Sequence, residues 1–302
     1  MKLGNKLQPI KGYYEGIDPE DYFKMTHAEN AEGQKYVIAS KSMLAKFNDD
    51  PMKWKHSPPF EKTAAMTGGS LLDCMLLTPR NLDREFILKP EDAPRRPTQP
   101  QIDAVKKSAK AIESISYWEA FDAKARGKEL ITGKQMDAAK LAVKQLKKHP
   151  RCAAIIEHSS KQTVCVAEYR GHMVKGMFDL VPDADSPWGN AVIDLKRTSG
   201  FTHAGFRKII RQFKYHWQLA FYRWLLKETT GEDRDVGKII ISDSEAPYSC
   251  GLLTMHDDDI KRGHDEVFAA LDKYIDCLEA GGVFPNPYPS DKPDVVLKSF
   301  YD

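Results

Sequence analysis

Two stretches of the chain hold the side chains best suited to chemistry: "GMFDLV", with Asp179, and "VIDLKRT", with Asp194 and Lys196. Each is short and rich in β-branched or apolar residues, which predicts a strand. Side chains alternate along a strand, so Asp194 and Lys196 point to one face, about 6.5 to 7 Å apart. If the two strands pair through the turn between them, Asp179 joins the group. Two carboxylates converging at a strand end suit a hard cation such as Mg²⁺, which takes one or two carboxylates and keeps its other positions for water and phosphate oxygens. A lysine beside them can orient or help deprotonate an attacking water and offset charge building on phosphorus. Together they suit metal-assisted phosphodiester hydrolysis. Asp-x-Lys alone arises by chance in most proteins of this size, so the reading leans on Asp179 and on the helix that follows. In that helix, "KYHWQLAFYRWLL", Gln218 and Tyr222 stand at i and i+4, on one face with Tyr215 and Leu225.

A third carboxylate sits where hydrocarbon is expected. In "SLLDCMLL", Asp73 shares a helix face with Met66, Gly69, Ser70, Leu76 and Leu77, while Leu71, Leu72 and Met75 cover the flanks. An ionised carboxylate buried without a partner costs several kcal/mol or takes up a proton. Either a cation waits for Asp73 or this helix is half exposed.

The elements that must position these groups are legible in outline. "TVCVAEY", "HMVKGMFDLV" and "NAVIDLKR", separated by turn signals at "RG" and "PDADSPWGN", predict a three-stranded meander. A long amphipathic helix is expected over roughly 205–227, then strands at "VGKIIIS" and "SCGLLTM". A final helix over about 257–280 is ended by Gly281 and Gly282. Upstream, "SKSMLAKFNDDPMKWKH" reads as a short helix capped by Ser40 or Ser42 and stopped ahead of Pro51, and a second helix over about 61–77 ends at Pro79. A Pro-rich loop or linker follows at 89–101, and 101–148 is helical again, capped by Thr132 and closed by Pro150. The expected class is α/β or α+β: one domain over 1–302, mainly helical in 1–150, with the sheet core in 160–285.

Composition narrows the function classes. With 41% apolar and 29% charged residues the chain is globular and not disordered. It has no apolar stretch near 18 residues and starts on the polar "MKLGNKLQPIKGYYEG", so no membrane association and a cytoplasmic location are expected. Five scattered cysteines with no C-x-x-C pair argue against a disulfide framework, a zinc ribbon or an iron–sulfur cluster. The net charge of +2 hides basic clusters at 106–110, at "KQLKKHPR" (144–151) and at "RKIIRQFK" (207–214). Such runs are usually solvated faces, so charge neither requires nor excludes a nucleic-acid partner.

Asp179, then "IDLK" (Asp194 to Lys196), then "QLAFY" (Gln218 to Tyr222) resemble the PD-(D/E)-x-K nuclease core with its trailing Q-x-x-x-Y helix. "IASKSMLAKF" and "MTGGSLLDCMLLTP" resemble the front of the RecE-type branch, the phage exodeoxyribonuclease VIII-like proteins; the resemblance spans about 35–285. It implies a restriction-endonuclease-like core, a mixed central sheet flanked by helices with a helical front half. It further implies a Mg²⁺-dependent (or Mn²⁺-dependent) exodeoxyribonuclease that degrades duplex DNA from an end, 5′ to 3′, in phage-type recombination. The implied partners are DNA ends, a single-strand annealing protein and further copies of the chain in a ring. Metal would be held by Asp73, Asp179, Asp194 and the Leu195 carbonyl; Lys196 would serve the water, and Gln218 with Tyr222 would position the strand. An endonuclease of the same fold and a non-catalytic DNA-binding recombination protein are the alternatives. Two departures stand out. Asp73 occupies the place where related segments commonly carry histidine, and an oxygen donor there suits Mg²⁺ or Mn²⁺ as well. Near Gln162 or Thr163, related sequences often carry an acid; Glu168 is the nearest substitute, although an exposed turn is its simpler reading.

Overall fold

A computed structural model describes residues 9–58, 62–200 and 202–286. Six strands form one mixed sheet in sequential order: β1 (Gly12–Tyr14), β2 (Ser159–Tyr169), β3 (His172–Pro182), β4 (Ala191–Thr198), β5 (Val236–Asp243) and β6 (Cys250–Thr254). All neighbours run antiparallel except β4 and β5, which are parallel from Ala191↔Val236 to Thr198↔Asp243. Parallel neighbours need a long crossover; the helical stretch between them supplies it.

The principal helices are α1 (Lys41–Asp49), α2 (Ala64–Leu77), α3 (Ala109–Ala125), α4 (Gly133–Lys148), α5 (Pro150–Glu157), α6 (His203–Gln212), α7 (Tyr215–Thr230) and α8 (Asp257–Glu279). They cover both faces of the sheet. On one face Phe47, Trp217, Phe221, Leu225, Leu271 and Tyr274 pack against Phe178 and Val192. On the other, Leu72 and Leu76 of α2, Leu146 of α4 and Ile155 of α5 pack against Leu180, Ile193, Leu195 and Ile240. Because both faces are covered, "AVIDL" in β4 is buried throughout and reads as a continuous apolar run rather than an alternating one. Four of the five cysteines are buried, Cys250 is half-buried, and all are free thiols.

The meander, both later strands and α8 lie where expected. Other expectations change. The helix expected over 205–227 is two helices, broken at Lys214, which adopts a left-handed backbone (φ 52°). No glycine or proline marks the break. Tertiary contacts hold it instead: the Lys214 ammonium bonds Asp49 Oδ1 at 2.6 Å and lies 4.5 Å from the Trp217 ring centroid, offsetting the strain of a non-glycine residue in that region. Pro51 and Pro150 both open new helices, capped by Asp50 and His149, because proline fits a first helical position as well as it ends the previous helix. Strand β1 and the hairpin of His27–Glu29 with Lys35–Val37 are short strands within the 1–150 half expected to be mainly helical. The loop at 89–101 gives way to a helical turn at Gln99–Asp103. Helix α2 starts at Ala64, where Thr63 Oγ1 accepts the Met66 N–H; Glu61, the expected start, lies outside the described residues. Among the described residues no helix is long and apolar enough to cross a membrane.

Candidate active site

The site lies where two strands part. Strands β3 and β4 are in register only at Leu180↔Ile193. The next position in that register sets Asp179 opposite Asp194, at the point where the ladder ends. The Leu195 N–H there donates to Asp179 Oδ2 at 2.9 Å, so the first carboxylate also satisfies backbone exposed by the parting. Asp194 is buried, 1% exposed. Its Oδ1 accepts from Gln218 Nε2 at 2.7 Å, and its Oδ2 lies 2.5 Å from Lys196 Nζ, the shared face expected of i and i+2 on a strand.

Helix α7 supports the pair from the covered face. Gln218 Nε2 also donates to the Tyr222 hydroxyl at 3.2 Å, and that hydroxyl donates to the Met177 carbonyl at 2.7 Å. The Tyr222 ring stacks on Phe178, centroids 4.3 Å apart. Tyr222 is buried and joined to the β3 backbone two residues before Asp179, so it braces the strand that carries the carboxylate. Gly176 makes the close approach of α7 possible: a Cβ there would meet Leu225 at 2.6 Å and Tyr222 at 2.9 Å.

Asp73 reaches the same centre from α2. Burial pushes its carboxyl up to about 7, with the Lys196 ammonium pulling it down and the Asp194 carboxylate pushing it up. Burial, then Asp194 and Asp73, raise Asp179 well above the usual carboxylate range. Burial opposes the Lys196 charge, but Asp194 and Asp179 outweigh it and raise the ammonium above its ordinary value. Asp73 is half-buried and near enough to Lys196, Asp194 and Asp179 for their charges to act on one another.

Several neighbours escaped the sequence reading. The Tyr215 ring lies 5.1 Å from Lys196 Nζ and 5.7 Å from Lys41 Nζ. Lys41, in the first turn of α1 directly after its Ser40 cap, donates its ammonium to the Phe213 carbonyl. Burial, then Lys196, lowers it to about 7. "IASKSMLAKF" held the signal, but only the fold brings Lys41 to Lys196. Arg197 of β4 packs over Gly68 of α2, its guanidinium lying where a Cβ would stand. Glu168 is exposed, paired opposite Met173 toward the hairpin turn and away from Asp179. The position opposite Asp179 on β2 is Gln162, buried, with φ 51° and an Oε1 that has no hydrogen bond. Of the basic clusters, 207–214 runs from α6 to the start of α7 beside the site, with Arg207, Lys208 and Arg211 exposed; 144–151 spans the junction of α4 and α5.

The donors fit a hard divalent cation. Asp194 Oδ2 is buried and pairs with the Lys196 ammonium. Asp73, Asp179 and the Leu195 carbonyl add further oxygens, the donor type Mg²⁺ and Mn²⁺ take. Among the described residues no group of three or more His, Cys, Asp or Glu side chains is placed to hold a metal ion, so Asp73, Asp179 and Asp194 are not gathered as a ready-made ligand set. Mg²⁺ takes only one or two carboxylates and keeps several waters.

The family profile "PDDEXK-like domain of unknown function (DUF3799)" matches residues 34–290. The chain belongs to this family. The profile's ends lie close to the limits of the motif resemblance, and the mixed sheet flanked by helices is the PD-(D/E)XK fold. Among solved structures, a "Putative exonuclease" from Eubacterium rectale is similar at TM-score 0.53 and 14% identity, covering 85% of this chain and 91% of its own. An alkaline exonuclease from Laribacter hongkongensis shares 18% identity over 60% of this chain and 88% of its own, at TM-score 0.27. The first likeness supports the PDDEXK-like fold; the second is too distant overall to add to it. No curated protein matches the sequence significantly.

Proposed function

We propose that this PDDEXK-like protein is a metal-dependent exodeoxyribonuclease that hydrolyses duplex DNA from an end, 5′ to 3′, and leaves single strand for an annealing protein in phage-type recombination. The observation that carries the hydrolytic reading is the meeting of Asp179, Asp194 and Lys196 where β3 and β4 part, with Gln218 bonded to Asp194. Asp73, Asp179, Asp194 and the Leu195 carbonyl would hold Mg²⁺ or Mn²⁺. When bound, such an ion supplies Lewis-acid stabilisation of the phosphoryl oxygens and a more acidic water. Lys196, kept as an ammonium by its carboxylate neighbours, orients water by donation and offsets charge growing on the phosphoryl group. Gln218 fixes Asp194 Oδ1, leaving Oδ2 as the oxygen facing the site. Polarity, the annealing partner, and assembly of copies into a ring around DNA rest on the family resemblance alone.

The test is incubation of 5′-labelled linear duplex and covalently closed circular duplex with Mg²⁺, Mn²⁺ or EDTA. The proposal expects metal-dependent loss of the linear form only, with label released first. Cutting of the circle would make the protein an endonuclease. Binding without hydrolysis in either metal would make it a non-catalytic DNA-binding protein.

A further inference from the structure

Phe213, between α6 and α7, has 50% of its surface open to water. An exposed phenylalanine forgoes the stabilisation that burial of its ring would bring, yet this one is held in place from several sides. Its N–H donates to the Ile209 carbonyl at 2.9 Å, and its carbonyl accepts from the Lys41 ammonium. Its ring stacks on Tyr215, centroids 5.9 Å apart and planes 19° from parallel. Behind it, left-handed Lys214 is bonded to Asp49 and covers Trp217. The result is a fixed bend that holds a half-exposed aromatic ring at its tip.

The surroundings are cationic. Tyr215, on which Phe213 stacks, is the ring approached by both Lys41 and Lys196. Along α6, Arg207 and Arg211 lie one turn apart and exposed, with Lys208 between them. A flat apolar ring set among cations, two ring contacts from Lys196, matches a polyanion that also carries flat apolar faces.

We propose that Phe213 is a stacking platform for an unpaired nucleobase of the DNA strand entering the site, with the cations of α6 taking the adjoining phosphates. This deepens the nuclease reading and rests on it. Base–aromatic stacking tolerates any sequence because every base has a π-face.

The experiment uses the full chain in EDTA with a single-stranded oligonucleotide and with a duplex bearing 2-aminopurine at its terminal nucleotide. Wild type should quench the 2-aminopurine. Phe213→Ala should bind the single strand about tenfold more weakly and lose the quench. Phe213→Trp should retain both properties, and Phe213→Leu, which keeps bulk without a π-face, should behave like Phe213→Ala. Thermal melts confirm that each variant is folded. Unchanged affinity and quench in Phe213→Ala, or a Phe213→Leu variant equal to wild type, would overturn the platform. If wild type hydrolyses no DNA in Mg²⁺ or Mn²⁺ while these stacking signals hold, the nuclease reading fails and the platform stands.

Discussion

Strand β3 has two unlike neighbours. Toward β2 it is in register from Ser159↔Pro182 to Tyr169↔His172, and toward β4 it is paired at Leu180↔Ile193 alone. Each side carries a lysine near buried groups. On the β2 side Lys175 is buried, its ammonium donating to the Tyr22 and Met25 carbonyls and lying 4.2 Å from the Tyr22 ring centroid, where it anchors the N-terminal segment. On the other side Lys196 faces carboxylates whose lone pairs are only partly used. Along the longer ladder the lysine spends its donors on backbone carbonyls, although Gln162 Oε1, Thr163 Oγ1 and His172 Nε2 there are buried without a hydrogen bond. Where the ladder stops, the Leu195 N–H turns to the Asp179 carboxylate, Asp194 pairs with Lys196, and Gln218 of α7 fixes the other Asp194 oxygen.

The contrast breaks most sharply at Asp194 and Lys196. Asp194→Ala and Lys196→Ala should each lower DNA hydrolysis by about 10² to 10³ or more, as expected for losing a positioned charge, with DNA binding and melting temperature nearly unchanged. Residual activity above about a tenth of wild type in either variant would remove the residue from the site.

Next comes the metal. An ion that binds only the folded state adds RT ln(1 + [L]/Kd), about 2.7 kcal/mol at a hundredfold excess over Kd. Asp73→Asn should lose most of the Mg²⁺-induced rise in melting temperature and most of the activity. In EDTA the linkage has a definite sign. The Asp73 carboxyl rises from 3.8 to about 7 in the folded chain, so the folded state holds its proton more tightly than the unfolded state. Stability from this group is complete below pH 3.8 and is lost as pH climbs through about 7. Metal-free wild type should therefore lose stability between about pH 4 and pH 7 more steeply than Asp73→Asn does. Equal metal shifts and equal pH slopes in the two proteins would mean that Asp73 holds no metal.

On the paired side, Lys175→Met should cost about 1 to 3 kcal/mol of stability, because two buried carbonyls lose their donor. Activity per folded molecule should stay at the wild-type level. A denaturation curve and an assay normalised to folded protein separate these effects; lost activity at full stability would erase the distinction between the two sides of β3. The smallest expected effect concerns the basic clusters. Reversing Arg207 and Arg211 should flatten the log–log salt dependence of duplex binding by about 0.9 per lost phosphate contact, while reversing Lys147 and Lys148 at the end of α4 should leave the slope unchanged. Identical slopes in both variants would return α6 to an ordinary solvated face.

What the sequence determined by itself was local in origin. Strand alternation alone put Asp194 and Lys196 on one face, helical spacing alone put Gln218 one turn from Tyr222, and Thr132 with Gln135 forms the capping box that opens α4. These follow from periods of 2 and 3.6 that belong to the backbone. The tertiary structure decided what depends on residues far apart in the chain. The helix break at Lys214 coincides with its contacts to Asp49 and Trp217, and Lys41 reaches Lys196 because α1 packs beside α7. Strand β1, three residues long, carries too little pattern to be read and exists because the free edge of β2 pairs with it. The question raised by Asp73 is of the same kind. A helical period showed that its face was apolar, but only the packing of α2 across the opening between β3 and β4 shows what that carboxylate faces: the Lys196 cation and two further acids whose mutual repulsion a divalent ion would relieve.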